Sequence, residues 1–289
     1  MVCACIDIGT NTTRVLVAEA RDGRLTEVLQ RRAFTRLGKG LGADGAIPTV
    51  RIAENCRVVA EQLALAREAG AQAIRTVATA VIRGAANRDE FCAELRRHGT
   101  EVSVLDGEEE ARLAFLGATR TLGAPLDGRL AVVDVGGGSS EIAIGTLQHG
   151  VEWWRSFSVG SGFLADAHFH SDPPRVPELE AAERLVSDLL ARIAPPPVDT
   201  AIAVGGSAAS LRRLVGDVLN THSLDRALEL LTSEPAAGVA ARFALDPERV
   251  RLMPAGLLAL AAAGRALDRP LLVGRGGLRE GVVLDLAGA

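Results

Sequence analysis

Near the N-terminus, apolar positions fall into three short runs, Val2 to Ile8, Val15 to Ala20 and Leu25 to Phe34, the last two joined by Arg21-Asp22-Gly23-Arg24. The Asp-Gly pair is a hairpin signal, so the segment predicts three antiparallel strands. From Pro48-Thr49 the spacing changes: Ile52, Cys56, Val59, Leu63 and Ala66 recur at helical intervals and stop at Gly70, which predicts a helix over one face of that sheet. Ala73 to Ala80 reads as a strand, about Arg88 to His98 as a helix, and Glu101 to Leu105 as a strand feeding a helix that opens at Asp106 and runs through Phe115. A second series follows. Leu130 to Val133 is apolar, alternation in Ile142 to Thr146 and Val151 to Val159 predicts two further strands, and Pro177 to Ile193 is an amphipathic helix. Thr200 to Val204 is a strand leading into a helix from Ala208 to Leu219, residues 224 to 266 are mostly helical, Leu271 to Val273 is a last strand, and a short apolar tail is predicted helical.

Two of these strands end in the same pattern. Asp7-Ile8-Gly9-Thr10-Asn11-Thr12-Thr13-Arg14 and Asp134-Val135-Gly136-Gly137-Gly138-Ser139-Ser140-Glu141 each read aspartate, aliphatic, glycine, two small residues, two hydroxyl residues, then a charge. Their offset is 127 residues in a chain of 289. Glycines lacking Cβ let backbone N–H groups approach an anion, and the hydroxyls add donors. The expected ligand is a phosphate, with a divalent cation held by the acids. A lone Gly-rich run after a strand is equally a plain β-turn; the second copy favours the phosphate loop. Repetition predicts an α/β protein of two domains, residues 1-124 and 125-289, joined within Gly123 to Gly128 and facing each other across a cleft. A third strand-to-glycine turn, Gly205-Gly206-Ser207, opens a helix, whose exposed N–H groups favour an anion. G-x-x-x-x-G-K-[ST] does not occur.

Composition narrows the partners. With 48% hydrophobic and 24% charged residues the chain is globular and long enough for one large or two medium cores, and a net charge of -4 offers no global attraction for nucleic acid or membrane. A polyanion must therefore meet a local basic patch. The apolar run Met253 to Gly264 is shorter than the roughly 20 residues of a bilayer span, and no basic region precedes Val2, so a cytoplasmic protein is expected. Cys3, Cys5, Cys56 and Cys92 lack C-x-x-C spacing and read as small buried hydrophobes. Of 32 basic residues only Lys39 is a lysine; it lies with Arg36 among the glycines of Arg36-Leu37-Gly38-Lys39-Gly40-Leu41-Gly42. His168-Phe169-His170 lacks further ligands nearby and reads as surface loop.

Catalytic acids are sought in Asp106-Gly107-Glu108-Glu109-Glu110-Ala111-Arg112. Acids suit a helix N-terminus, yet three adjacent carboxylates repel, and one turned into a cleft would serve as a general base. Arg83, just past a predicted strand, either grips phosphate through its planar fork or caps a helix.

These residues together resemble the exopolyphosphatase and guanosine pentaphosphate phosphatase family, within the actin, sugar kinase and Hsp70 superfamily. Asp7 to Asn11 resembles its first phosphate loop, Asp134 to Glu141 its second, Ala78 to Arg83 with Asn87 its arginine motif, and Gly107 to Arg112 its catalytic Gly-x-Glu-Glu-Ala-Arg element. Gly205-Gly206-Ser207 and Gly277-Leu278-Arg279-Glu280-Gly281 match later signatures. The resemblance implies two ribonuclease H-like (actin-like ATPase) domains flanking a central cleft, and hydrolysis of terminal phosphoanhydride bonds without a covalent intermediate. It implies Glu110 as the base, with Glu109 the second choice, and Asp134 and Glu141 as ligands of Mg²⁺ or Mn²⁺. Asp7, Gly9, Thr10, Asn11, Thr12, Arg83, Gly136, Gly137, Gly138, Ser139, Gly205, Gly206 and Ser207 would bind substrate phosphate. Threonines at 10 and 12, where the family often has serine, keep the hydroxyls, and Ser207 stands where threonine is common. Longer members add a C-terminal helical region, so short polyphosphate is expected, with release of orthophosphate; guanosine pentaphosphate (pppGpp) and a homodimer stay open. Outside this reading stand a kinase of the same fold, for which no acceptor site can be named, and a non-catalytic nucleotide or phosphate sensor.

Overall fold

The first apolar run becomes β1 (Val2–Ile8), followed by β2 (Thr12–Arg21) and β3 (Arg24–Phe34) in a meander. The computed structural model describes all residues except 22, 43, 124, 125 and 289; Asp22 of the expected hairpin turn and the expected 124/125 domain boundary lie outside the described residues. Then come α1 (Thr49–Glu68), β4 (Ala73–Ala78), α2 (Ala80–Gly84), α3 (Arg88–Arg97), β5 (Val102–Val104) and α4 (Gly107–Arg120). The second series is β6 (Leu130–Val135), β7 (Ser140–Thr146), β8 (Gly150–Phe157), α5 (Ser161–His168), α6 (Val176–Leu190), β9 (Thr200–Val204) and α7 (Gly205–Val215). It continues through β10 (Val218–Leu219), α8 (Thr221–Thr232), α9 (Ala236–Phe243), α10 (Pro247–Leu267) and β11 (Leu271–Val273), and α11 (Leu278–Leu286) ends the chain.

Two sheets result, ordered β3-β2-β1-β4-β5 and β10-β11-β9-β6-β7-β8. In each, two antiparallel ladders precede a parallel one, the ribonuclease H-like arrangement, and the 127-residue offset extends to register. Asp7 pairs with Arg14 and Val77; Asp134 pairs with Glu141 and Val204. The duplication thus covers four strands of each half, beyond the two loops.

Residues Met1–Thr121 and Gly276–Ala289 form one compact unit and Leu122–Arg275 the other. This corrects the expectation that the second half runs to Ala289: α11 crosses α4 in the first unit. The reason is steric. A Cβ on Gly117 would overlap the Gly277 carbonyl oxygen, and one on Gly281 the Leu113 carbonyl oxygen, so glycines let the two helix backbones touch. In that unit Ala4, Ile6, Ile8, Val15 and Val17 pack toward Ile52, Val59 and Leu63 of α1. The opposite face, with Cys3, Cys5, Leu16, Ala18 and Val77, packs with Leu113, Val282 and Val283.

The second unit has one core, built on β6, β7 and β9 with α6, α7 and α10. By length and composition α10 is apolar enough to cross a membrane, but Met253, Leu257, Leu258 and Leu260 lie inside this core. Four local expectations shift. The predicted strand to Ala80 ends at Ala78, so Arg83 sits on a short helix; α4 runs on to Arg120; and α7 begins at Gly205 itself and ends at Val215. His168 closes α5 rather than lying in a loop.

Candidate functional site

Both glycine turns are built alike. Gly9 N–H donates to Thr12 O and Gly136 N–H to Ser139 O, each at 3.0 Å. In the first unit Thr35 and Arg36 N–H donate to Asn11 O and Gly38 N–H to Thr10 O. In the second, Ser161 N–H donates to Gly136 O, and Gly162 and Phe163 N–H to Gly137 O, with Ser161 Oγ also on Gly136 O. Neighbouring backbone thus takes the loop carbonyls, and no described backbone acceptor takes the N–H of Thr10, Asn11, Gly137, Gly138 or Ser139. Donors left over in a tight concave turn are what an anion requires. The N-terminus of α5 spends its own N–H groups on the loop, so it positions the second loop instead of binding anion itself. A Cβ on Gly160 would stand 2.6 Å from the Gly137 carbonyl carbon.

What surrounds each loop differs in charge. Asp7 carries a buried Oδ1 with no hydrogen-bond partner. Burial pushes its carboxyl above the ordinary value, against the pull of Arg279 and Arg14. Arg14 Nε donates to Thr12 Oγ1 at 3.2 Å, so its guanidinium reaches the first loop. In the second unit the position matching Arg14 is Glu141, 2% exposed, which accepts from Ser156 Oγ at 2.8 Å. Side chains directly opposite on a sheet hold their Cβ atoms about 4.5–5.5 Å apart, and like charges so placed repel. Asp134 and Glu141 are such a pair. Asp134 Oδ1 is pressed against Gly205, whose φ of +83° and missing Cβ leave room for it. Two carboxylates suit Mg²⁺, which keeps several waters and completes its shell with phosphate oxygens. Among the described residues no group of three or more His, Cys, Asp or Glu forms a fuller metal site, the His168-x-His170 pair included.

The three adjacent glutamates part company on α4. Asp106 caps the helix by accepting Glu109 N–H at 2.8 Å. Glu108 is exposed. Glu109 is gripped by Arg112 at 2.6 and 2.9 Å and lies 3.7 Å from Arg75, while Asp285 accepts from both arginines at 2.8 and 3.1 Å. This closed ring of four charges ties β4, α4 and α11 together. Glu110, 7% exposed, accepts from Arg83 Nη1 at 2.9 Å, and the same Nη1 donates to Leu105 O at 2.7 Å. The remaining Arg83 donors, Nε and Nη2, make no hydrogen bond to a described residue. One guanidinium therefore fixes a carboxylate and keeps donors for a phosphate.

The structure thus brings Arg83 and Glu110 together, Asp7 with its loop, and Asp134 and Glu141 with the second loop and Gly205. Ser207 is different: its hydroxyl is buried toward Val135 O at 3.4 Å and under Gly256, which leaves its backbone N–H at the start of α7. Asn87, quoted with the arginine motif, instead bonds both backbone groups of Ile47. Arg14, Arg279, Ser156 and the Arg75–Asp285 ring had no sequence assignment. Arg14 carried a signal, since it stands at the repeat position of Glu141, and Arg279 lies within the quoted Gly277 to Gly281 signature.

The chain matches the Ppx/GppA phosphatase family model over residues 16–289. It is 30% identical over 316 residues to exopolyphosphatase 2 of Mycobacterium tuberculosis, covering 99% of this chain and 98% of that protein. It is 28% identical to a guanosine-5'-triphosphate,3'-diphosphate pyrophosphatase of Aeromonas salmonicida, covering 99% of this chain and 59% of that one. The crystal structure of the Aquifex aeolicus Ppx/GppA family member superposes with a TM-score of 0.83 at 29% identity, over 99% and 97% of the two chains. With its paired glycine turns and a buried glutamate on an arginine, the chain belongs to the Ppx/GppA phosphatase family.

Proposed function

We propose that this protein is an exopolyphosphatase that hydrolyses the terminal phosphoanhydride bond of short inorganic polyphosphate and releases orthophosphate. The observation that carries the reading is Arg83 Nη1 shared between Glu110 Oε2 and Leu105 O. It fixes Glu110 in place and leaves Arg83 Nε and Nη2 to take phosphate oxygens. Phosphoryl transfer asks for positioning, charge neutralisation and an oriented nucleophile. Glu110 accepts a proton from the attacking water as oxygen bonds to the terminal phosphorus, the anhydride P–O bond breaks, and the shortened chain leaves with the electron pair. Free N–H groups of Thr10, Asn11, Gly137, Gly138 and Ser139, with Gly205, Gly206 and the hydroxyls of Thr10, Thr12 and Ser139, supply phosphate binding, while Gly9 and Gly136 close the two turns through their own N–H bonds to Thr12 O and Ser139 O; Asp7 lies near the end of the strand before the first loop. Asp134 and Glu141 would hold Mg²⁺ or Mn²⁺, which would neutralise charge on phosphate oxygens. Four free, buried cysteines are in keeping with a reducing cytoplasm.

Purified protein with tripolyphosphate and Mg²⁺ should release orthophosphate, lose that activity to EDTA and regain it with Mg²⁺ or Mn²⁺. No release by the wild type with either metal contradicts the reading. Guanosine pentaphosphate is the competing substrate. A kcat/KM for it above that for polyphosphate reverses the order of the two, and tight ligand binding without turnover would favour the sensor.

A further inference from the structure

Strands β3, β2 and β1 align Arg32, Arg14 and Asp7 in one row on one face of the first sheet. The matching row of the second sheet is Ser156, Glu141 and Asp134. The duplicated loops have therefore diverged: one is flanked by cations, the other by acids. Cross-strand arginines repel unless an anion is shared between them. Arg14 already reaches Thr12 of the first loop. Arg32, one strand further out, is exposed, stacks over Phe34 at 4.8 Å and has no carboxylate within ion-pair distance among the described residues. On the loop's other flank, Gly38 N–H binds Thr10 O, and the Gly38 backbone packs on the Thr10 methyl. The next residue is the single lysine, Lys39, exposed and likewise without a described carboxylate partner. Arg36, whose N–H binds Asn11 O, holds a left-handed φ of 46°, a strained conformation that sets the direction of this segment.

We infer that Arg32 and Lys39 extend the first loop into a subsite for the phosphates behind the terminal one, and so set how affinity depends on chain length. The inference rests on the exopolyphosphatase reading and assigns these residues no chemistry. Each exposed cation meeting a phosphate contributes a charge-assisted contact that salt weakens. Affinity should rise with chain length until the chain spans both cations, then level off.

The test measures KM and direct binding for tripolyphosphate and for a medium-length and a long polyphosphate, in wild type, Arg32→Gln, Lys39→Gln and the double variant. Arg24→Gln, eight residues back along β3 and so roughly 26 Å away, controls for net charge. Expected for each single variant is a KM and Kd about three- to tenfold higher for the longer chains, with tripolyphosphate values, kcat and the Arg24→Gln control unchanged and a shallower salt dependence. Equal weakening for all lengths, no weakening, or an equal effect of Arg24→Gln overturns the subsite. So does weaker binding of guanosine pentaphosphate with polyphosphate unaffected. Wild-type turnover of tripolyphosphate separately tests the underlying reading, and the binding arm tests the subsite even without turnover.

Discussion

Glu108, Glu109 and Glu110 are chemically identical, and about 100° of helix rotation between neighbours separates their fates. One faces solvent, one enters the ring with Arg75, Arg112 and Asp285, and one is buried against Arg83. Glu109→Gln should therefore lose about 1 kcal/mol of stability in a thermal melt while kcat stays within a few-fold; a collapse of kcat would transfer the base to Glu109. Asp7 behaves differently because burial raises its carboxyl above the ordinary value of 3.8. A raised acid favours the fold most below its unfolded pKa, and that advantage fades as pH rises through the folded value. Asp7→Asn should thus show a Tm gain over wild type that is absent near pH 3.8 and grows toward neutrality, with lower activity; a gap that is constant with pH would contradict the buried-carboxylate account. At this scale the sequence was legible up to adjacency. It grouped the acids and ranked Glu110 above Glu109 by resemblance, but which side chain finds an arginine depends on Arg75, Arg83 and Asp285, remote in sequence from α4.

Repetition was the most legible feature among the elements, since strand alternation and glycine turns are local signals. The 127-residue offset carried over into Asp7–Val77 and Asp134–Val204 pairing. Less legible were close backbone approaches. Nothing local at Gly117, Gly160 or Gly281 reveals what lies opposite, because the opposing backbone comes from a distant segment. Gly117→Ala and Gly281→Ala each force α4 and α11 apart and should cost about 1–3 kcal/mol in denaturant unfolding; unchanged midpoints would mean that the crossing relaxes freely. Gly160→Ala presses on Gly137, so its expected signature is a raised KM for tripolyphosphate with small loss of stability. An unaltered KM would detach α5 from the second loop's function.

For the molecule as a whole, length allowed one large core or two medium ones, and each described unit packs around its own buried residues. What sequence order concealed is that the last segment, Gly276–Ala289, belongs to the first unit, where it supplies Arg279 near Asp7 and Asp285 to the ring. Chain order marks domain limits by breakers such as those around Gly123, but a returning helix obeys its packing partner. The proposed functional groups divide accordingly: Glu110, Arg83 and the Asp7 loop in the first unit, Asp134, Glu141 and their loop in the second. The measurement that bears most directly on this account is orthophosphate release from tripolyphosphate by wild type and Glu110→Gln in saturating Mg²⁺. The account predicts a kcat lower by about 10²–10⁴ in the variant with tripolyphosphate binding and Tm retained; a variant that turns over within a few-fold of wild type would contradict it.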